Sequence, residues 1–120
     1  MKYKLTNQTI QHKGRTLYRI QALMDFRDVK TGDLGGWVES EKNLSQEGLC
    51  WIYDEGKVYG NAWVFGNSIV VDSNVSSYHY HYHHHHHHHY HNHLIIPSPE
   101  HPLFVIYRLK YPDLEVEFIP

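Results

Sequence analysis

Histidine is the residue type through which this chain could do chemistry. Thirteen of its 120 residues are histidine, and eleven of those fall between His79 and His93. Neutral imidazole is a common ligand of first-row transition ions, and it titrates close to neutral pH. Read as an extended strand, the tract puts His79, His81, His83, His85, His87, His89, His91 and His93 on one face, because successive side chains alternate. Same-face neighbours ~6.7 Å apart can straddle one ion, so these eight are candidate ligands for Zn, Ni or Cu. No other feature calls for a cofactor. A run this dense does not define one geometry, and it lacks the spaced partners that orient the ligands of a dedicated site.

Two other origins fit the same residues. Seven consecutive histidines at 83–89 match a purification tag, although tags are usually terminal and seldom mixed with tyrosine. A frame change or repeat slippage also fits. All sixteen residues from Tyr78 to His93 are His, Tyr or Asn, whose codons share a middle A and a final C or T. Shifted forward by one base, such a tract encodes only Thr and Ile, residues that favour strands.

The remaining chemistry is sparse. Cys50 is the single cysteine, so it reads as a small core residue, internal disulfides are excluded, and a reduced cytoplasmic setting is expected. The only histidines outside the tract are His12, expected in a solvated turn, and His101. With 11 Lys and Arg against 13 Asp and Glu, the formal charge of −2 gives no field for nucleic acid or an anionic membrane. No apolar run approaches the ~20 residues of a membrane helix, and the first residues carry no signal-peptide pattern.

The elements that must carry these residues are legible as a six-residue repeat. Ile52, Val58, Val64 and Val70 stand at its first position, and Gly56, Ala62, Ser68 and Asn74 at its fifth. Aliphatic first and small fifth residues point inward, while Gly, Asn and Asp at the third and fourth make corners. No hexad buries its inward face alone, whereas stacked hexads bury them together. Run backwards, the frame puts Cys50, Leu44 and Val38 at fifth positions and Leu34 at a first. Before it, Thr9–Gln11 and Thr16–Ile20 flank a turn at Gly14, an expected hairpin. After the tract, 103–109 and Leu114–Phe118 read as a strand pair.

These hexads resemble the left-handed parallel β-helix, in which three hexads form one triangular coil. The stretch from Gly32 to Ser45, with Gly14-Arg15-Thr16-Leu17-Tyr18-Arg19-Ile20 before it, resembles small, mostly uncharacterised bacterial and phage proteins of that type. The resemblance covers residues 1 to about 76. Such proteins are often named hexapeptide transferases by fold alone. The transferases have more coils than the roughly seven hexads found here, and they place a catalytic histidine between trimer subunits.

The expected architecture is all-β: an N-terminal β-hairpin cap (1–33), a short left-handed parallel β-helix (34–76), the His/Tyr tract (77–93) and a C-terminal β-hairpin (94–120). Trp51, Tyr53, Tyr59, Trp63 and Phe65 fall at outward positions. They form a surface for a second copy, a protein partner or the chain's own C-terminal strands. The function expected is a non-enzymatic structural or binding module. A metal-binding protein acting through the tract and a remnant of a hexapeptide acyltransferase are the alternatives.

Overall fold

The computed structural model describes residues 1–76 and 89–120. Strands β1 (Tyr3–His12) and β2 (Arg15–Ala22) form an antiparallel hairpin. Its turn residues Lys13 and Gly14 both have positive φ, 51° and 78°, which matches a two-residue turn to the twist of the strands. β3 (Leu34–Val38) pairs antiparallel with β2 on one edge and parallel with a later strand on the other. The hairpin therefore closes one end of the parallel-stranded part of the chain.

From β3 onward the chain visits three sheets in rotation. After β3 come a bridge at Leu44, then β4 (Trp51–Tyr53), β5 (Lys57–Val58), β6 (Trp63–Val64), β7 (Ile69–Val71) and β8 (Asn74–Val75). β9 (His89–Tyr90) and β10 (His93–Ile96) resume the rotation after the tract. The first sheet runs β1-β2-β3-β5-β8, the second pairs Leu44 with β6 and β6 with β9, and the third contains β4, β7 and β10. Every strand pairing within the rotating part is parallel.

Register puts like residues on top of one another. Val38 lies beside Val58 and Val58 beside Val75; Leu44 beside Val64 and Val64 beside Tyr90; Ile52 beside Val70 and Val70 beside Ile95. All nine are fully buried and belong to one core cluster, with the small Cys50 and Ala62 between them. Burying a side chain of this size contributes roughly 1.5–3 kcal/mol. Strands of two or three residues have no stability apart from these columns.

Three expectations need correction. The repeat frame before Ile52 is shifted: Val38 and Leu44 occupy the first-position columns, not the fifth. Leu44 to Ile52 takes eight residues where six would be regular, and the surplus is held in the corner after Leu44. The frame also slips after Val70: Val75 is inward in place of the expected Asn74, because the corner at Asp72 is one residue short. There is also no C-terminal β-hairpin. The segment expected as a strand at 103–109 is mostly helix α1 (Phe104–Lys110), and β11 (Glu115–Phe118) runs parallel to β10. Parallel neighbours need a crossover, and α1 is that crossover.

Helix α1 covers the outer face of the third sheet. Tyr107 packs in a cluster with Ile69, Val71, Leu94, Ile96 and Leu114. Asp28 fastens it, accepting hydrogen bonds from Tyr53 Oη at 2.7 Å and Lys110 Nζ at 3.0 Å. Burial opposes ionisation of Asp28, but these two donors outweigh it and hold its carboxyl below the usual range.

Tyr59, expected outward and exposed, is 3% exposed. It packs with Leu17 and Trp37, and the His12 ring meets it edge-on at 5.2 Å. We therefore expect Tyr59→Ser to cost about 3 kcal/mol in urea melts, in the range for a truncated buried aromatic. Trp63→Ser, at an exposed site, should cost less than about 1 kcal/mol. His12 is not a solvated turn residue. Burial first, then Lys57 and Lys13, lower its pKa below the ordinary 6.5. The folded state binds this proton less well than the unfolded chain, so stability from His12 is present above about 6.5 and is lost as pH falls below it. Melts of wild type and His12→Gln across pH 7.5 to 5 should diverge in that direction.

Candidate functional site: the Trp63 face

The outward aromatics separate into covered and uncovered residues. Trp51 is 2% exposed, with Tyr3 and Phe26 of the cap packed edge-on at 6.2 and 5.2 Å. Tyr53 is half-buried under Tyr107 of α1, with ring centroids 5.3 Å apart. Trp51 and Tyr59 are thus inside the fold, and Tyr53 is covered by the chain's own C-terminal segment, one of the three covers expected for these aromatics. Of the five, Trp63 and Phe65 remain on the surface of the second sheet. Trp63 is 38% exposed, and the two rings stack at 4.0 Å with an interplanar angle of 16°.

Two tract histidines complete this face. β9 lies beside β6, so His89 stands next to Trp63, edge-on at 5.6 Å. His91 lies over Phe65, with ring centroids 5.0 Å apart. Gly66 makes room for it: a Cβ there would fall 2.3 Å from His91 Cδ2, and Gly66 has a φ of 63°. Any side chain at 66 would displace the imidazole. The rings border two grooves. One, of about 430 Å³, is lined by Lys42, Gly60, Asn61, Ala62, Trp63 and His89. The other, of about 410 Å³, includes Ser45, Glu47, Trp63, Phe65 and His91.

The tract does not place its described histidines on one face. β9 ends at Tyr90, the chain bends at residues 91 and 92, and β10 begins at His93. The bend is the corner that carries the chain from the second sheet to the third. His89 and His91 are exposed. His93 is half-buried instead, its Nε2 3.5 Å from Glu115 Oε2 and 3.9 Å from Glu117 Oε2. Among the described residues no group of three or more His, Cys, Asp or Glu is arranged to hold a metal ion. His79, His81, His83, His85 and His87 lie outside the described residues.

His101 has the appearance of a general base but not the free nitrogen. Its Nε2 is 2.8 Å from Asp72 Oδ2, and its Nδ1 accepts from the Leu103 backbone N–H at 3.1 Å. The backbone donor fixes the tautomer with the proton on Nε2, which donates to Asp72. Both nitrogens are thus occupied in fastening the segment before α1 to the corner after β7. Asp54, at the stacked corner one circuit earlier, has its pKa raised by burial and then by Asp72. Sequence reasoning left His101 without a role and gave Asp72 only that of a corner residue. The repeated corner position of Asp54 and Asp72 was the available signal.

Among known proteins the chain is similar to the uncharacterized acetyltransferase YdcK of Escherichia coli (strain K12). The two are 42% identical over 64 residues, which is 52% of this chain. The match covers 20% of that relative, so the chain corresponds to about a fifth of it. No family model matches. The likeness corrects the expectation of a non-enzymatic module, because a relative that is 42% identical over 52% of the chain is named an acetyltransferase.

Proposed function

We propose that the chain is a left-handed β-helical segment of acyl-transfer type, with the Trp63 face as its reaction surface and His91 as its general base. The observation that carries this reading is the 42% identity to a protein named an acetyltransferase. In acyl transfer an acceptor N–H or O–H attacks a thioester carbonyl. A base takes the acceptor proton, and the thiolate leaves and is reprotonated. His91 is an exposed imidazole bordering a groove that Trp63 and Phe65 wall with flat apolar surface. His101 is excluded from this role because both of its ring nitrogens are engaged.

With acetyl-CoA and a panel of small amines and sugars, the full chain should release free thiol above the buffer rate. His91→Ala should lower that rate about 100-fold, within the range for losing a general base, and His101→Gln should not. Thiol release no faster than buffer, with no heat of acetyl-CoA binding by calorimetry, would overturn the proposal.

A second reading, transition-metal binding, is favoured by the exposure of His89 and His91. Calorimetric titration at pH 7.5 should show uptake of Zn²⁺, Ni²⁺ and Cu²⁺, with Cu²⁺ tightest by the usual affinity order. Uptake should weaken at pH 5.5, because the ligand is the neutral imidazole. Replacing the odd-numbered set from His79 to His93 together should remove most of it. Absence of uptake at pH 7.5 sinks this reading.

A further inference from the structure

The two grooves beside Trp63 differ in charge. Among the described residues, the groove that includes Lys42 and His89 has no carboxylate. The groove that includes Phe65 and His91 has Glu47 and no lysine or arginine. Glu47 is exposed, and among the described residues its carboxylate accepts no hydrogen bond and makes no ion pair.

The corner that presents Glu47 is fixed from beneath. It is the corner after Leu44, with two residues more than a regular hexad. The Gln46 side chain accepts from Lys2 N at 2.9 Å and Tyr3 N at 3.1 Å, and donates to Tyr3 O at 3.0 Å. Lys2 is 3% exposed, and its ammonium donates to Cys50 O at 2.7 Å, Gly48 O at 3.3 Å and Glu47 O at 3.4 Å. Lys2 therefore holds the backbone of the corner and leaves the Glu47 carboxylate unpaired. Gly48 lies against the corner of the next circuit, since a Cβ there would fall 2.7 Å from Gly66 O. The His91 imidazole comes from the circuit beyond and leans over Gly66. One circuit, ~5 Å, thus separates the imidazole from the Glu47 corner.

We propose that this groove is an ammonium-binding site. A cation meets the Glu47 carboxylate, and the carbon skeleton that bears it lies against Trp63 and Phe65. A neutral hydroxyl gains no ion pair there, and an anion is repelled. The proposal rests on the acyl-transfer reading for its chemistry and on the groove alone for binding. Under that reading the acceptor is a primary amine, with its nitrogen between Glu47 and His91. The bound ammonium releases one proton to water and becomes a neutral amine. Its nitrogen attacks the thioester carbonyl and a C–N bond forms. His91 takes a second proton from that nitrogen, the C–S bond breaks, and the thiolate leaves with the proton from His91. One amide, one thiol and one free proton result.

The probes are 2-phenylethylamine and 2-phenylethanol, which share a skeleton and differ in the ammonium group. In calorimetric titration of the full chain at pH 7 and low salt, without acyl donor, the amine should bind about fivefold more tightly than the alcohol, the upper range for an exposed ion pair. Glu47→Gln should remove that preference, and so should about 0.5 M NaCl, because exposed charges are screened. Trp63→Ala should weaken both ligands. Glu47→Gln should leave the melting midpoint unchanged, because the carboxylate holds nothing in place. No amine binding, equal affinity for amine and alcohol, or a preference that survives Glu47→Gln overturns the proposal. Thiol release from acetyl-CoA with the alcohol and not the amine also overturns it, and leaves acyl transfer standing. Glu47-dependent amine binding with no thiol release supports the ammonium site and overturns the acyl-transfer reading alone.

Discussion

The structure depends on one constraint: parallel strands of two or three residues must stack in register so that their inward residues form continuous columns. Val38, Val58 and Val75 make one column, Leu44, Val64 and Tyr90 another, and Ile52, Val70 and Ile95 the third. A slip of one residue would turn a valine outward and a corner residue inward. The columns meet in a single cluster, so each sheet supplies one wall of the same core. Nothing about one strand is stable apart from the strands on either side of it.

Everything outside the columns is arranged around what they leave uncovered. The hairpin cap covers the open edge of β3 and the Trp51 ring. Helix α1 covers the outer face of the third sheet, clamped by Asp28 between Tyr53 and Lys110. The approach to that helix is fastened by His101 on Asp72. The second sheet has no comparable cover over Trp63 and Phe65 among the described residues, which leaves its stacked rings and the imidazoles of His89 and His91 facing solvent.

Much of this was legible from residues 52 to 70, where aliphatic and small residues recur every six positions without interruption. Sequence reasoning lost the frame where the corners change length, since an extra or missing residue in a turn leaves no mark on composition. It also read residues 103–109 as one strand of a C-terminal pair; the segment is instead mostly the helical crossover that joins two parallel strands. Outward positions were recognised, but outward from the columns is not the same as exposed. Trp51 and Tyr59 face away from the columns and are nonetheless buried, Trp51 against Tyr3 and Phe26 and Tyr59 against Leu17 and Trp37, packing that has no local signature. Lys2 gave no warning at all: a lysine beside the first residue reads as solvated, and only the fold brings it to Cys50.

The uneven corners have a wider consequence. Val58 to Val64 takes six residues, whereas Val75 to Tyr90, which spans the same two sheets, takes fifteen. The columns resume after the longer path, with Tyr90, Leu94, Ile95 and Ile96 buried. Length gained at a corner is therefore invisible to the core, while length gained within a strand would shift every residue after it. Under selection for folding alone, such a chain accumulates foreign sequence at its corners and nowhere else. The corner after Leu44, which already holds two residues more than a regular hexad, is where an unrelated peptide could be displayed without disturbing the scaffold.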